Sequence, residues 1–412
     1  MRVAVVGSGG REHVLASVLG RTAEVVVTPG NPGMVAGGIA CTPEEPEQLD
    51  VDLVVIGPEA PLVDGLADRL RSKGIAVFGP GADGARLEGS KGHMKEVLAA
   101  AEVPTARHGT FTDHEAALDF LRALPGPWVV KTDGLAAGKG VLVTTDLLEA
   151  EEDVKAKLAG VSFGDAGRTV VIEEGLAGPE LSVLVVCDGQ RAVALAPAQD
   201  FKRARDGDAG PNTGGMGAYS PVPVAGSDVV DVVLDRFVAP TLAELQRRGI
   251  DYRGILYAGL MLTSSGPKLL EYNVRFGDPE AQVVLPRMTS DLAALLAAAA
   301  VGDVRSVAAP TFDDGAAVTV VCATEGYPDE PRTGDPIEGI EAAAAVEGVT
   351  VFCAGVGADS EGRLLTAGGR VLTVTGQGPD LAAARSRAYD AVGKISWRGM
   401  HIRHDIAREA AR

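Results

Sequence analysis

The sequence predicts a multidomain chain of α/β and α+β type, with a doubly wound parallel sheet at the N-terminus, a central α+β domain and a small C-terminal α+β domain. Three observations predict it. Over residues 1–80, short Val/Ile-rich runs alternate with helical stretches and end in turn residues, as βαβ units require. Beyond the next helix, apolar runs are separated by a glycine-rich loop and a hairpin signal, a compact α+β pattern. After an Ala-rich tract at 292–301, a third set of short strands and helices begins. Boundaries are expected at 1–97, 98–300 and 312–412, within the roughly two to four domains that this length accommodates.

In the first region, strands are expected at 3–6, 24–27, 53–56 and 76–78, and helices at 12–19 and 62–73. Ligands of such sheets lie beyond the carboxyl ends of the strands. Here those ends carry residues 7–11, 29–33, 57–61 and 79–80. A helix at 90–101 follows, ended by Pro104. Strands at 128–131 and 141–144 flank the loop DGLAAGKG. A helix at 147–158, a strand at 170–173 and antiparallel strands at 181–187 and 191–197 come next. Residues 199–220 read as a polar, Gly-rich loop, and 228–248 as a helix. A hairpin then turns at Gly266-Pro267. The last region holds strands at 318–323, 349–355 and 371–375.

Composition narrows the function. Hydrophobic residues are 46% and aromatics only 4%, so the cores must be built from Ala, Val, Leu and Ile. The net charge of −18, with no Lys/Arg block, argues against a broad nucleic-acid surface and against anionic membranes. A few local cations and backbone N–H groups can still bind a phosphate. The four cysteines form no C-x-x-C pair and read as core residues in a reducing compartment. The N-terminus reads as a strand rather than a signal peptide, and the apolar tract at 292–301 is too short to span a bilayer. A cytoplasmic location is expected.

Two glycine-rich turns carry candidate chemistry. Gly7-Ser8-Gly9-Gly10 lies between strand and helix, but the dinucleotide fingerprint needs glycine at position 12, which is Glu12. A tight structural turn is the better reading of these residues alone. In the central region, Lys131 ends a strand and precedes a loop with Gly138, Lys139 and Gly140. Such a loop can fold its N–H groups over a triphosphate, with Lys131 and Lys139 adding charge, though the Walker spacing is absent. A solvated hairpin fits that loop equally well. Backbone groups around Glu173, Glu174 and Leu176 could read an adenine edge, and Glu180 could accept from ribose hydroxyls. Alternation puts Glu271 and Asn273 on one strand face. A carboxylate and an amide oxygen there suit Mg²⁺, which takes few protein ligands and completes its shell with phosphate. Arg275, one step further along that face, could stabilise a transferring phosphoryl group. A polar sheet face with a salt bridge fits the same three residues.

Taken together and in this order, these pieces resemble the ATP-grasp superfamily. Longer strings narrow the resemblance to the phosphoribosylamine–glycine ligase family: GSGGREH at the N-terminus, GPEAPLV at 57–63, LEGSK at 87–91, KTDGLAAGKGV at 131–141, QDFKR at 199–203, GPNTGGMGAYSP at 210–221, YAGLM at 257–261 and RFGDPE at 275–280. The resemblance covers essentially the whole chain. It implies a central ATP-grasp fold with a mobile lid at about 107–180. It also implies ATP-dependent ligation of glycine to 5-phosphoribosylamine through a glycyl phosphate, giving glycinamide ribonucleotide, ADP and phosphate in purine synthesis. Mg²⁺, or alternatively Mn²⁺, would be the metal.

The resemblance also implies roles. Lys91 and Lys131 would be the phosphate lysines, with Lys95 as the fallback for Lys91. Glu271 and Asn273 would hold metal, and Arg275 would face the γ-phosphate or the acyl intermediate. Asp200, Lys202, Gly277 and the loop Asn212, Thr213, Gly214, Gly215, Met216 and Gly217 would serve glycine and the amine. Gly9, Gly10, Arg11, Asn31, Gly57, Pro58 and Glu59 would take the ribose phosphate. The acidic ligand that many ATP-grasp relatives carry near Gly259 is missing from YAGLM. Phe201 stands where histidine is common, and Ala407 where glycine is usual. The partners would be these small molecules, with neither nucleic acid nor membrane, leaving room for hand-over of product or labile amine to neighbouring purine enzymes. A different ATP-grasp carboxylate–amine ligase or carboxylase, or a non-catalytic nucleotide-binding module, are the competing readings; GPNTGGMGAYSP and GPEAPLV speak against the first, Lys131, Glu271, Asn273 and Arg275 against the second.

Overall fold

The computed structural model describes residues 1–135, 140–160, 168–226 and 228–412. Gly138 and Lys139, expected over the phosphates, lie outside the described residues. The N-terminal sheet is parallel throughout, in the order Ala40–Cys41, Glu24–Pro29, Arg2–Gly7, Leu53–Ile56, Ala76–Phe78. Both faces are covered, as a parallel sheet requires. Val3 and Val5 enter one core with Leu15, Leu19 and Leu296, while Ala4 and Val6 enter another with Leu66, Leu70 and Leu98. The helix expected at 62–73 is two, Glu59–Val63 and Leu66–Ser72. Gly65 breaks it at φ +76, a left-handed conformation that glycine adopts without penalty.

The first glycine turn closes around a side chain of its own. Gly9 N–H donates to Glu12 Oε2 at 2.6 Å, and a Cβ on Gly57 would collide with Glu12 Oε1. An internal carboxylate thus sits at the N-terminus of helix Gly10–Leu19, where a dinucleotide fold would place a phosphate.

The next unit is a four-stranded antiparallel sheet, ordered His108–Phe111, Val170–Glu174, Trp128–Thr132, Val141–Thr144. Helices His114–Ala123 and Leu147–Leu158 pack on it, with a small core of its own around Leu121, Val130, Val154 and Ile172. A second antiparallel sheet holds Ala192–Ala194, Glu180–Asp188, Arg253–Thr263 and Gly266–Asn273. Its last hairpin turns at Ser264-Ser265 rather than at Gly266-Pro267, and Pro267 lies inside the strand opposite Leu262. The Thr263 hydroxyl closes the turn, accepting from Ser265 N–H at 3.2 Å and donating to Gly266 O at 2.7 Å. The helix expected at 228–248 runs through Val229–Val233, a widened π turn at Leu234–Val238, and Ala239–Arg247. Pro240 lies just past the widened turn and has no N–H to give to the preceding turn.

The segment 199–220 differs most from expectation. It is not a loop but strands Gln199–Asp200 and Gly217–Ser220, with the small pair Arg203–Arg205 and Ala209–Asn212 between them. These outer strands extend the C-terminal sheet, ordered Gln199–Asp200, Gly217–Ser220, Ala316–Ala323, Arg370–Gly378, Val349–Cys353. A Gly/Asn/Pro-rich string has little strand propensity, and pairing with residues about a hundred positions later overrides it. Ala407 takes φ +55, the backbone region that glycine favours. Cys187, Cys322 and Cys353 are buried, Cys41 is half-buried, and all are free thiols.

Crowding at the glycine turn makes a prediction about stability. Gly57→Ala should lose about 1–3 kcal/mol, the usual cost of overpacking a filled site. Gly37→Ala, where a Cβ meets nothing closer than 3.4 Å at φ −79, should melt as the parent does. Thermal melts of the two variants check this.

Candidate active site

A cleft of about 910 Å³ lies between the first antiparallel sheet and the second. Segments far apart in the chain meet there. Lys131, on strand Trp128–Thr132, sends Nζ to Glu173 Oε1 at 2.9 Å and to the Leu270 carbonyl at 3.4 Å. Lys95 reaches the same Glu173 oxygen at 3.2 Å and donates to Thr105 Oγ1 at 2.8 Å. Glu173 and Lys95 are each only 1% exposed, so this carboxylate bridges two ammonium groups beneath the cleft surface. Burial pushes Lys95 down to about 8. For Glu173 burial works upward, but Lys131 and Lys95 outweigh it and hold the carboxyl below its ordinary range.

Lys91, rather than Lys95, lines the cleft. It opens helix Lys91–Ala100, and its Nζ donates to the Gly134 carbonyl at 2.8 Å. Asp133 accepts from Ser90 Oγ and Gly92 N–H, both at 3.0 Å, so that helix start is tied to the beginning of the glycine loop. Opposite, strand Gly266–Asn273 presents Glu271 and Asn273 to the same cleft. Burial alone would raise Glu271, but Lys202, Lys131, Lys91 and Arg275 surround it and pull the carboxyl down to about 2. Arg275 donates from Nη2 to Glu88 Oε1 at 3.1 Å and to Asn273 Oδ1 at 3.3 Å, with Glu59 3.5 Å from Nε.

The chain matches known proteins along its whole length. Models of three phosphoribosylglycinamide synthetase domains match in series: the N domain over residues 1–88, the ATP-grasp (A) domain over 89–281 and the C domain over 317–409. The chain belongs to the phosphoribosylamine–glycine ligase family. The ligase of Streptomyces coelicolor is 48% identical over the whole of both chains. That of Pseudomonas aeruginosa is 47% identical over 100% of this chain and 98% of its own. The crystal structure of the Thermotoga maritima ligase superposes with a TM-score of 0.86 at 36% identity, covering 99% of this chain and 100% of the other. The biotin carboxylase domain of a Hydrogenobacter thermophilus carboxylase shares the fold, with a TM-score of 0.72 at 16% identity over 97% and 91% of the chains. As a member of the ligase family, the chain is an ATP-grasp enzyme that forms C–N bonds.

The remaining expected residues of this ligase fall into two groups. Arg11, Glu59, Gly140, Glu174, Leu176, Glu180, Asp200, Lys202, Asn212, Thr213 and Gly214 line the cleft. Lys202 Nζ lies 2.7 Å from Glu180 and 3.9 Å from Glu271. Glu174 accepts from Arg107 N–H at 3.0 Å and Lys268 Nζ at 3.1 Å. Arg11 donates from Nε to Glu12 at 2.6 Å and from Nη1 to the Phe276 carbonyl at 3.2 Å.

The second group does not line the cleft. A side chain on Gly10 would meet Gln282 and Thr373. Gly9 donates to Glu12, and Pro58 caps helix Glu59–Val63 beside Gly57. Asn31 gives its amide to the carbonyls of Ser8 and Cys353, clasping the C-terminal region. Gly215 N–H donates to Thr213 Oγ1, Met216 is fully buried, and Gly217 pairs with Val320. Gly277 leaves room for the Glu280 carboxylate.

The sequence reading missed several cleft residues. Arg370 donates from Nη1 to the carbonyls of Gly214 and Asp278, both at 2.7 Å, and Tyr327 Oη accepts from Gly214 N–H at 3.0 Å. Neither sits in a string with a chemical signature. Glu88 and Glu280 do, in LEGSK and RFGDPE, where an acidic residue could have been asked for its cation.

The cationic ring around Glu271 sets a pH dependence. With a folded value near 2 against an ordinary 4.5, its contribution to stability is complete above pH 4.5 and fades as pH falls through about 2. Glu271→Gln should therefore melt lower than the parent at neutral pH, with the gap closing as pH drops through that window. Melting curves from pH 7 to 2 read this directly.

Proposed function

We propose that the cleft binds ATP with its triphosphate along Lys91 and Lys131, so that glycine and 5-phosphoribosylamine react at its inner end. The family's reaction joins those two compounds at the expense of ATP. The observation that carries the assignment of roles is the convergence of Lys91, Lys131, Glu271, Asn273 and Arg275, from separate segments, on one cleft.

The chemistry follows from what each group can do. A carboxylate is a poor acylating agent. An oxygen of glycine attacks the γ-phosphorus, the bond from phosphorus to the β,γ-bridging oxygen breaks, and ADP leaves. The nitrogen of phosphoribosylamine then attacks the glycyl carbon, the carbon–oxygen bond to phosphate breaks, and the nitrogen sheds a proton. The protein's part is positioning and charge neutralisation. Lys91 and Lys131 neutralise the phosphate chain, while Arg275, held by Glu88 and Glu59, turns its planar guanidinium to the transferring group. Leu176 borders the adenine end and Glu180 the ribose, with residues 107–180 as the cover. Arg11 and Glu59 border the ribose-phosphate end, near Gly9, Gly10, Asn31, Gly57 and Pro58. Asp200, Lys202 and the 212–217 loop border the amine and glycine.

Glu271 and Asn273 fit a divalent metal. They supply two hard oxygens two residues apart, and Glu271 stays ionised across the physiological range. Among the described residues no cluster of three or more His, Cys, Asp or Glu side chains is arranged for a metal, which suits an ion that shares its shell with phosphate. When bound, Mg²⁺ would spread the charge of the β- and γ-phosphates; the same oxygen donors admit Mn²⁺. No described helix is long and apolar enough to cross a membrane. A cytoplasmic setting, with neither nucleic acid nor membrane as partner, belongs to the same reading, and the labile amine favours direct transfer between neighbouring purine enzymes.

ADP release should require both glycine and freshly made phosphoribosylamine. Release with another amino acid, and none with glycine, would overturn the reading. Lys131→Met should lower kcat/KM for ATP by at least about 100-fold, since it removes a charge aimed at the phosphates and leaves Glu173 with one partner. Steady-state kinetics with ATP varied will measure this.

A further inference from the structure

The string HIRHDI at 401–406 lies far from the cleft in sequence, yet it runs beside the hairpin of Arg203–Arg205 and Ala209–Asn212, which lines the cleft through Arg203 and Asn212. A bridge between His401 and Ala323 anchors this segment to the C-terminal sheet. From there it meets the hairpin repeatedly. His401 Nε2 donates to the Ala204 carbonyl at 2.7 Å. Arg403 Nη1 donates to the Arg203 carbonyl at 3.1 Å and to Asp208 Oδ1 at 2.7 Å. His404 N–H donates to Asp206 Oδ1 at 2.7 Å, and Asp405 Oδ2 accepts from Gly207 N–H at 2.8 Å.

Arg403 is the centre of these contacts. It is only 1% exposed, and its Nε and Nη2 fork onto the two Asp405 oxygens, both at 2.8 Å. Its guanidinium carbon lies 4.9 Å from the centre of the Phe201 ring. Phenylalanine there offers the cation a π face with no competing proton. Phe201 and Lys202 both line the cleft, and the backbone around Lys202 is clamped from either side. Phe201 N–H donates to the Gly217 carbonyl at 2.9 Å, and Thr213 N–H donates to the Lys202 carbonyl at 2.8 Å. The next carbonyl, that of Arg203, is the one Arg403 holds.

We propose that Arg403 is a positioning residue for the two small substrates: through the Phe201 ring and the Arg203 carbonyl it fixes the direction in which Lys202 enters the cleft. This rests on the reading that Lys202 and the 212–217 loop border glycine and the amine. Lys202 Nζ lies 2.7 Å from Glu180 and 3.9 Å from Glu271, so a small turn of its backbone would carry the ammonium away from both. Misplacement on that scale is costly to a reaction that depends on alignment. The triphosphate would feel it less, since Lys91 and Lys131 come from other segments.

The test uses the full chain. Arg403→Lys keeps the charge but cannot hold Asp405, Asp208 and the Arg203 carbonyl together. It should raise the KM for glycine and for phosphoribosylamine at least about tenfold and move the KM for ATP less than about twofold. Asp206 is exposed and does not line the cleft, so Asp206→Ala removes only its contacts with His404. That variant should raise the same two constants about two- to threefold. Limited trypsin digestion reads the hairpin itself, because Lys202, Arg203 and Arg205 are cleavage sites; Arg403→Lys should be cut there at least about fivefold faster than the parent. Unchanged constants for glycine and phosphoribosylamine, equal rises in all three, or cleavage at the parent's rate overturns the proposal. Should Arg403→Lys fail to fold, Asp206→Ala decides, and parent-like constants in it count against the proposal. A parent that binds ATP but shows no glycine-dependent ADP release would instead remove the underlying functional reading.

Discussion

Two ammonium groups share one carboxylate beneath the cleft, and the geometry of the site depends on that compensation. Lys95 comes from the helix after the N-terminal region, Lys131 from the sheet that covers the cleft, and Glu173 from the strand beside Lys131. Leaving any of the three unpaired in so dry a place would cost several kcal/mol. The group therefore holds a helix and a sheet in fixed relation. Lys131 also touches the Leu270 carbonyl, next to Glu271, so the same contact sets the distance between the phosphate-facing cations and the oxygen-bearing strand. Two lysines against one carboxylate leave a net positive charge below the surface, which suits a polyanionic ligand above it.

A second balance lies around Arg275. Its guanidinium is divided between Glu88 and Glu59, both from the N-terminal region, and Asn273, which ends the strand two residues before it. Burial raises Glu88, while Arg275 and Arg11 hold Glu59 low against the upward pull of burial. The planar fork is thus aimed before any ligand arrives, and little reorganisation is left for the reaction step.

The strings that carry local chemistry were legible. Lys131 at a strand end, and Glu271, Asn273 and Arg275 at alternating positions, can be read because their neighbours in sequence are their neighbours in space. Helix Leu147–Leu158 falls where expected, and the Ala-rich tract at 292–301 forms helix Leu292–Val301. Less legible was whatever depends on distant partners. Gly217–Ser220 becomes a strand only through Ala316–Ala323, and Arg370 enters the cleft only because its strand pairs with that same one. Spacing put Lys91 ahead of Lys95, one helical turn later; in the structure Lys91 lines the cleft and Lys95 is buried beneath it.

The sheet that joins residues 199–220 to the C-terminal strands makes the chain's three-part sequence layout a poor guide to its mechanical units. Severed near residue 310, the larger fragment would expose the unpaired edge of Gly217–Ser220, and the smaller would lose two of its five strands. Bare edges of that kind invite adhesion between molecules. Gene fusions and insertions in this architecture are therefore better tolerated at the ends than at its internal seams. The linear order of modules conceals one ladder of hydrogen bonds drawn from both sides of the apparent boundary.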